Sequence, residues 1–165
     1  MSQNTYTQLI YHLFWSTKNL KPFLTPLVQE SLFPYLNALI RENNGIPLAT
    51  GGHIDHVHIL YLQPQQHSLS HVARNLKANS SRWLRQNLPD YKSFAWQEGY
   101  SAFSVSPSQK EKVQQFIKNQ DLYHKNNSFE QELMGILQKH HIDCPCHYLF
   151  NSISIVNEKL KNAVW

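Results

Sequence analysis

Cysteine is nearly missing from this chain. Its 165 residues hold two, Cys144 and Cys146, with one residue between them. That is too short a loop for a useful structural staple, so a disulfide-built secreted scaffold is excluded and a reduced, cytoplasmic setting is expected. Long apolar runs are missing as well. No stretch reaches the roughly eighteen consecutive apolar residues of a membrane-spanning helix. The opening MSQNTYTQLIYHLFW has neither a basic start nor a long apolar core, so it does not read as a signal peptide. There is no internal repeat, low-complexity tract or obvious linker. Acidic residues are the scarcer charge, 11 against 15 Lys and Arg, which leaves a net charge of +4 before any of the ten histidines is protonated. Mild basicity of this kind fits a nucleic-acid partner.

What is present is enough for one folded domain. Hydrophobic residues make up 41% of the chain, near the globular norm, which argues against disorder. YHLFWST (11–17) is rich in aromatics and predicts a first strand. TPLVQESLFPYLNALIRENNG (25–45) predicts a helix, with Thr25 as cap and Pro26 in the first turn. Leu27, Leu32, Leu36, Leu39 and Ile40 fall near helical spacing, Pro34 is a potential kink, and Gly45 is the expected stop. Residues 46–52 and 56–63 predict two further strands, with Asp55 in the turn between them. Residues 68–88 predict a second helix capped by Ser68, with Leu69, Val72, Leu76, Trp83 and Leu84 on its apolar face. Residues 101–108 predict a fourth strand and 108–126 a third helix; 128–141 predict a fourth helix, opened by the capping-box pair Ser128 and Gln131. The order β-α-β-β-α-β-α-α is the split βαβ pattern. It predicts an α+β, ferredoxin-like antiparallel sheet with helices on one face and added C-terminal helices.

Chemistry concentrates in GGHIDHVHILYLQP (51–64). Residues i and i+2 of a strand share a face, so His56 and His58 project together, with Val57 opposite. Two imidazoles on one face beside Asp55 suit a metal ion somewhat better than a plain polar face does. On the third helix, Phe116 and Gln120 are four apart and are expected on one side. Gln120 has an amide oxygen to offer a metal, although spacing alone favours a solvent-facing Gln. HHIDCPCH (140–147) matches no usual zinc spacing and reads as a surface turn. Arg74, Lys77 and Arg82, on the second helix, are placed by charge and position for phosphate contacts. Trp15, Trp83, Trp96 and Tyr100 are expected in the core rather than as base-stacking platforms.

Taken in order, the segments WSTKNLKPFLTP, GGHIDHVHIL, SLSHVARNLKANSSRWL, WQEGYSAFSVSPSQ and FIKNQDLYHKNNSFEQEL resemble the single-tyrosine HUH transposases, the TnpA enzymes of the smallest insertion sequences. The resemblance covers about residues 8–150 and implies the same ferredoxin-like fold. It implies one transposase domain over 1–150 with a tail over 151–165. It also implies that His56, His58 and Gln120 hold a divalent metal, Mg2+ or Mn2+, that polarises a phosphodiester of single-stranded DNA. In the family a tyrosine four residues before the Gln attacks phosphorus, forming a 5′-phosphotyrosine and releasing a 3′-hydroxyl. Here that position is Phe116, which keeps the ring and lacks the oxygen. A deliberate Tyr-to-Phe change and a natural copy that lost cutting both fit.

The resemblance therefore implies a DNA transposase acting on single-stranded hairpins at element ends, with cleavage disabled in this chain. The alternative is a non-catalytic DNA-binding protein derived from one. Tyr123, three residues after Gln120, is an alternative nucleophile. An RNA-binding module of the same topology is disfavoured, because the chain lacks the aromatic strand motif of that class. The family also implies a homodimer whose sites are completed between subunits, in a bacterial or archaeal cytoplasm, acting at the nucleoid, with no membrane partner.

Overall fold

A computed structural model describes residues 6–143. The chain divides into two compact units, residues 1–127 and residues 128–165. The tail expected over 151–165, Cys144 and Cys146 lie outside the described residues. The first unit is built on four strands, β1 (Ile10–Ser16), β2 (Ile46–His53), β3 (His56–Leu62) and β4 (Ser101–Ser104). Their order across the sheet is β2-β3-β1-β4 and every neighbouring pair is antiparallel. This is the α+β, ferredoxin-like arrangement that the sequence predicts. β4 is half as long as the pattern at 101–108 implied, because Pro107 opens a single helical turn over Pro107–Gln109.

Alternation along the two central strands splits the sheet into two chemically different faces. Leu13 and Trp15 of β1, with Val57, Ile59 and Tyr61 of β3, pack under α1 (Pro26–Glu42) and α2 (Leu69–Asn87) in the main core. Burial of the Tyr61 phenol in that core pushes its pKa well above the ordinary tyrosine range. The opposite face carries Ile10, Leu60 and the histidines, and α3 (Lys110–Lys118) packs there through Ile117.

The cap signals of α1 and α2 hold. Thr25 Oγ1 accepts from the Val28 amide and Ser68 Oγ from the His71 amide. α1 runs unbroken through Pro34, and both Pro34 and Glu30, whose carbonyl loses its helical N–H partner to the proline, are exposed residues. Leu27 does not join the core; it is 75% exposed and the neighbouring Val28 is buried instead. The left-handed residue that ends α1 is Asn44, with φ 60°, ahead of Gly45.

The third helix is not one piece over 108–126. It breaks at Asn119, which has φ −101° and ψ 22°, and a short α4 (Gln120–Tyr123) follows α3. In the second unit α5 (Phe129–Lys139) opens on Ser128, with both hydrogen bonds of the expected capping box in place.

Candidate metal centre and basic groove

β3 turns His56 and His58 onto the α3 face, and both are fully buried. One ring nitrogen of each lies within 4.8 Å of the other's. The rings stand nearly perpendicular, with centroids 5.1 Å apart. Each imidazole is held by its Nδ1. His56 Nδ1 donates to Asp55 Oδ1 at 2.6 Å, so the turn residue beside the strand fixes the tautomer. His58 Nδ1 is 2.9 Å from Nε2 of His12 on β1. The register pairs His58 with Phe14 and His12 with Leu60, so His12 reaches His58 across a same-face diagonal. Phe14 stacks on the His58 ring at 4.8 Å.

Gln120 comes to this pair from the other direction. Its side chain is buried, with Oε1 2.7 Å from His56 Nε2. Three features of the sequence bring it there. The strand β2 has a register shift between Pro47 and Ala49, and the carbonyl of the bulged Leu48 accepts from Gln114 Nε2 of α3 at 3.0 Å. Three residues on, Gly51 lets the backbone of α3 close onto the strand. A Cβ at Gly51 would be driven into the Ile117 carbonyl oxygen. The break at Asn119 then turns the chain so that Gln120 faces the histidines rather than solvent.

His56, His58 and Gln120, the three residues assigned to the metal by resemblance, thus converge in one buried place. The donor set fits a divalent cation. When the His56 ring is neutral and gives its Nδ1–H to Asp55, its Nε2 has a lone pair to offer a cation, and Gln120 Oε1 lies 2.7 Å from that nitrogen. A lone pair on Nε2 and an amide oxygen at 2.7 Å are reconciled by a cation between them, by a proton on Nε2, or by the amide turned over.

Phe116 projects from α3 over the same site. Its ring is edge-on to His58, with centroids 5.7 Å apart, and edge-on to His12 at 6.3 Å. Tyr123 meets the Phe116 ring edge-on at 5.5 Å, so the alternative nucleophile lies beside the position it would replace. Sequence reasoning missed His12, Gly51 and His124 in this neighbourhood. His12 sits in a strand with His and Phe at alternate positions, a pattern that could have marked it.

The second candidate region lies on the other side of the sheet. Arg74, Lys77, Arg82 and Arg85 of α2, with Trp96, Gly99 and Tyr100, line a groove of about 570 Å³. Trp15 and Trp96 are buried and Trp83 stacks on Tyr35 at 5.1 Å, as core aromatics should. Tyr100 is 40% exposed at the groove, contrary to expectation, because it directly follows the exposed turn at Gly99. The Lys77 ammonium donates to the Gln97 carbonyl at 2.7 Å and to the Gly99 carbonyl, so it holds this turn in place. Burial lowers its pKa below the ordinary lysine value, and Glu98 opposes that shift. Arg74 and Arg82 are exposed along the groove. No helix among the described residues is long and apolar enough to cross a membrane.

Comparison with known proteins places this architecture. The chain is similar in structure to a protein of Deinococcus radiodurans R1 assigned as a transposase, at 26% identity and a TM-score of 0.59, over 73% of this chain and 96% of that one. It is also similar to a REP-associated tyrosine transposase bound to a REP hairpin, at 14% identity and a TM-score of 0.55, over 75% of this chain and 74% of that one. That second likeness speaks to the fold alone. No curated protein matches the sequence. The family model described as "Transposase IS200 like" matches residues 5–120, a span that runs from β1 through the paired histidines to Gln120. The chain belongs to the IS200-like transposase family.

Proposed function

We propose that this chain binds single-stranded DNA hairpins at the ends of an insertion element and that Phe116 blocks the cleavage step. The observation that carries the reading is the Phe116 ring, set edge-on to His58 beside the Gln120–His56 contact. By the family resemblance, the position four residues before Gln120 is the attacking tyrosine's. Phenylalanine has no oxygen to attack with, so no phosphotyrosine can form there.

The remaining parts of a strand-transfer site have counterparts here. His56, His58 and Gln120 would hold a divalent metal, Mg2+ or Mn2+, which when bound would withdraw charge from a phosphodiester oxygen. Asp55 and His12 orient the two imidazoles. Two imidazoles and an amide are softer than Mg2+ prefers, which favours Mn2+ in titrations. Arg74 and Arg82 are placed to meet backbone phosphates, whereas Lys77 supports the turn beside them. A homodimer with sites completed between subunits is part of the same proposal, as is a single transposase domain over 1–150.

The second reading, a DNA-binding protein descended from a transposase, shares every feature but the history of Phe116. Tyr123 as a substitute nucleophile gains support from its contact with Phe116. The test is binding and cleavage on the same oligonucleotide. With Mn2+ present, the unmodified chain should bind a hairpin more tightly than a scrambled, unpaired strand of equal length, and should leave it uncut. Equal affinity for both strands would contradict hairpin recognition. Cleavage that Tyr123→Phe abolishes would move the nucleophile to Tyr123.

A further inference from the structure

We propose that the groove on α2 holds an unpaired nucleotide of the DNA, its base stacked on Tyr100, rather than the paired stem. The inference deepens the reading of this chain as a hairpin binder and rests on it for the choice of DNA. Tyr100 is 40% exposed and lines the groove. Among the described residues it has no ring partner. Trp96 lines the same groove but is spent: it is 8% exposed, its Nε1 donates to Ser80 Oγ at 2.9 Å, and Phe94 meets its ring at 4.7 Å. Tyr100 is the groove ring left to meet a ligand, and its backbone is held ready. Gly99 turns the chain ahead of it with φ 76°. The Lys77 ammonium ties that turn to α2 through the Gln97 and Gly99 carbonyls.

The helix supplies the rest. Arg74, Ala78 and Arg82 are spaced four apart and share one face of α2. The two arginines are exposed and lie about 12 Å apart along the axis, at about 1.5 Å per residue. Ala78 puts only a methyl between them, and Ala95, from the segment before β4, adds another. Arg85 braces the wall instead, because its Nη1 is given to Ser81 Oγ at 2.7 Å and to the Phe94 carbonyl at 3.1 Å. No Asp or Glu lines the groove. Its volume of about 570 Å³ is that of a small-ligand site, far less than a paired stem fills. In a stem, each base face is already stacked on its neighbours. A duplex therefore offers phosphates to the arginines and nothing to Tyr100. An unpaired nucleotide offers both, a phosphate on each side and a bare base face. Stacking accepts any base, so the groove reads whether a nucleotide is unpaired rather than which base it carries.

Binding of DNA probes that share one stem sequence tests this. The probes are a hairpin with an unpaired loop and tail, the same hairpin with abasic nucleotides at those unpaired positions, and a blunt two-stranded duplex. Tyr100→Ala should weaken binding of the first by about 5- to 100-fold, the range for losing one base–aromatic stack. Tyr100→Phe keeps the ring and should bind as the unmodified chain does. The abasic hairpin should cost the unmodified chain at least as much as Tyr100→Ala costs on the first probe, and Tyr100→Ala should lose nothing further on it. The duplex should be indifferent to Tyr100→Ala. Unchanged binding of the first hairpin by Tyr100→Ala overturns the stack. An equal loss on all three probes assigns Tyr100 to the shape of the groove and also overturns it. The abasic comparison needs no variant, so it decides the matter if Tyr100→Ala fails to fold: equal affinity for the abasic and intact hairpins overturns the proposal. A scrambled, unpaired strand separates the two readings. If it binds as tightly as the hairpin and both depend on Tyr100, hairpin recognition fails and the groove assignment stands. Binding of none of these DNAs overturns both.

Discussion

Single atoms decide how closely the parts of this site approach, and Gly51 is the clearest case. Its missing side chain lets α3 rest on β2 at Ile117. Gly51→Ala must push that helix away and should cost about 1–3 kcal/mol, as overpacking does. Urea denaturation will read the loss, and Mn2+ affinity should fall with it because Gln120 moves with the helix. Gly135→Ala is the contrast. Nothing lies within 4 Å of a Cβ there, inside α5, so the change should stabilise by about 0.5–1 kcal/mol through helix propensity. In the sequence Gly51 looks like any glycine ahead of a turn, because its partner is 66 residues away. His56 and His58 were legible because alternation is local. His124 was not, because a lone histidine past a helix carries no signal until Asn127 and Gln120 are placed around it.

Elements carry these residues, and their breaks matter as much as their lengths. The sequence shows a helical pattern over 108–126, but Asn119 divides it and turns Gln120 inward. Propensity cannot mark such a break, since Asn is tolerated in helices and the gain comes from tertiary contacts at Gln120. α2 offers a different lesson. Charge and spacing mark Arg74, Lys77 and Arg82 alike as phosphate contacts, yet Lys77 is bound to two backbone carbonyls. Arg74→Ala and Arg82→Ala should each weaken hairpin binding and reduce the slope of log affinity against log salt by about one. Lys77→Ala should instead lower the thermal unfolding temperature and disturb Tyr100, with a smaller change in that slope. Equal slopes for all three variants would return Lys77 to the contact set.

At the scale of the whole first unit, core and candidate site lie on opposite faces of one sheet. α1 and α2 cover the apolar face, and α3 closes over the histidines. That division was readable from alternation along β1 and β3 and from the βαββαβ order, because each rests on local periodicity. The packing of α3 on the second face was not, since it depends on the bulge at Leu48 and the space at Gly51. On the proposed function, DNA held at the α2 groove and DNA held at the histidines would engage different sides of the sheet. That reading calls on groove and histidines together, and Phe116 lacks the group that would attack. The direct test is Phe116→Tyr with a verified hairpin substrate and Mn2+, read as a protein–DNA adduct that survives denaturation. The ring already sits edge-on to His58 at 5.7 Å, and the change adds one hydroxyl to it. The account predicts an adduct with Phe116→Tyr and none with the unmodified chain. An adduct formed by the unmodified chain, or none by Phe116→Tyr on DNA that it binds, would contradict it.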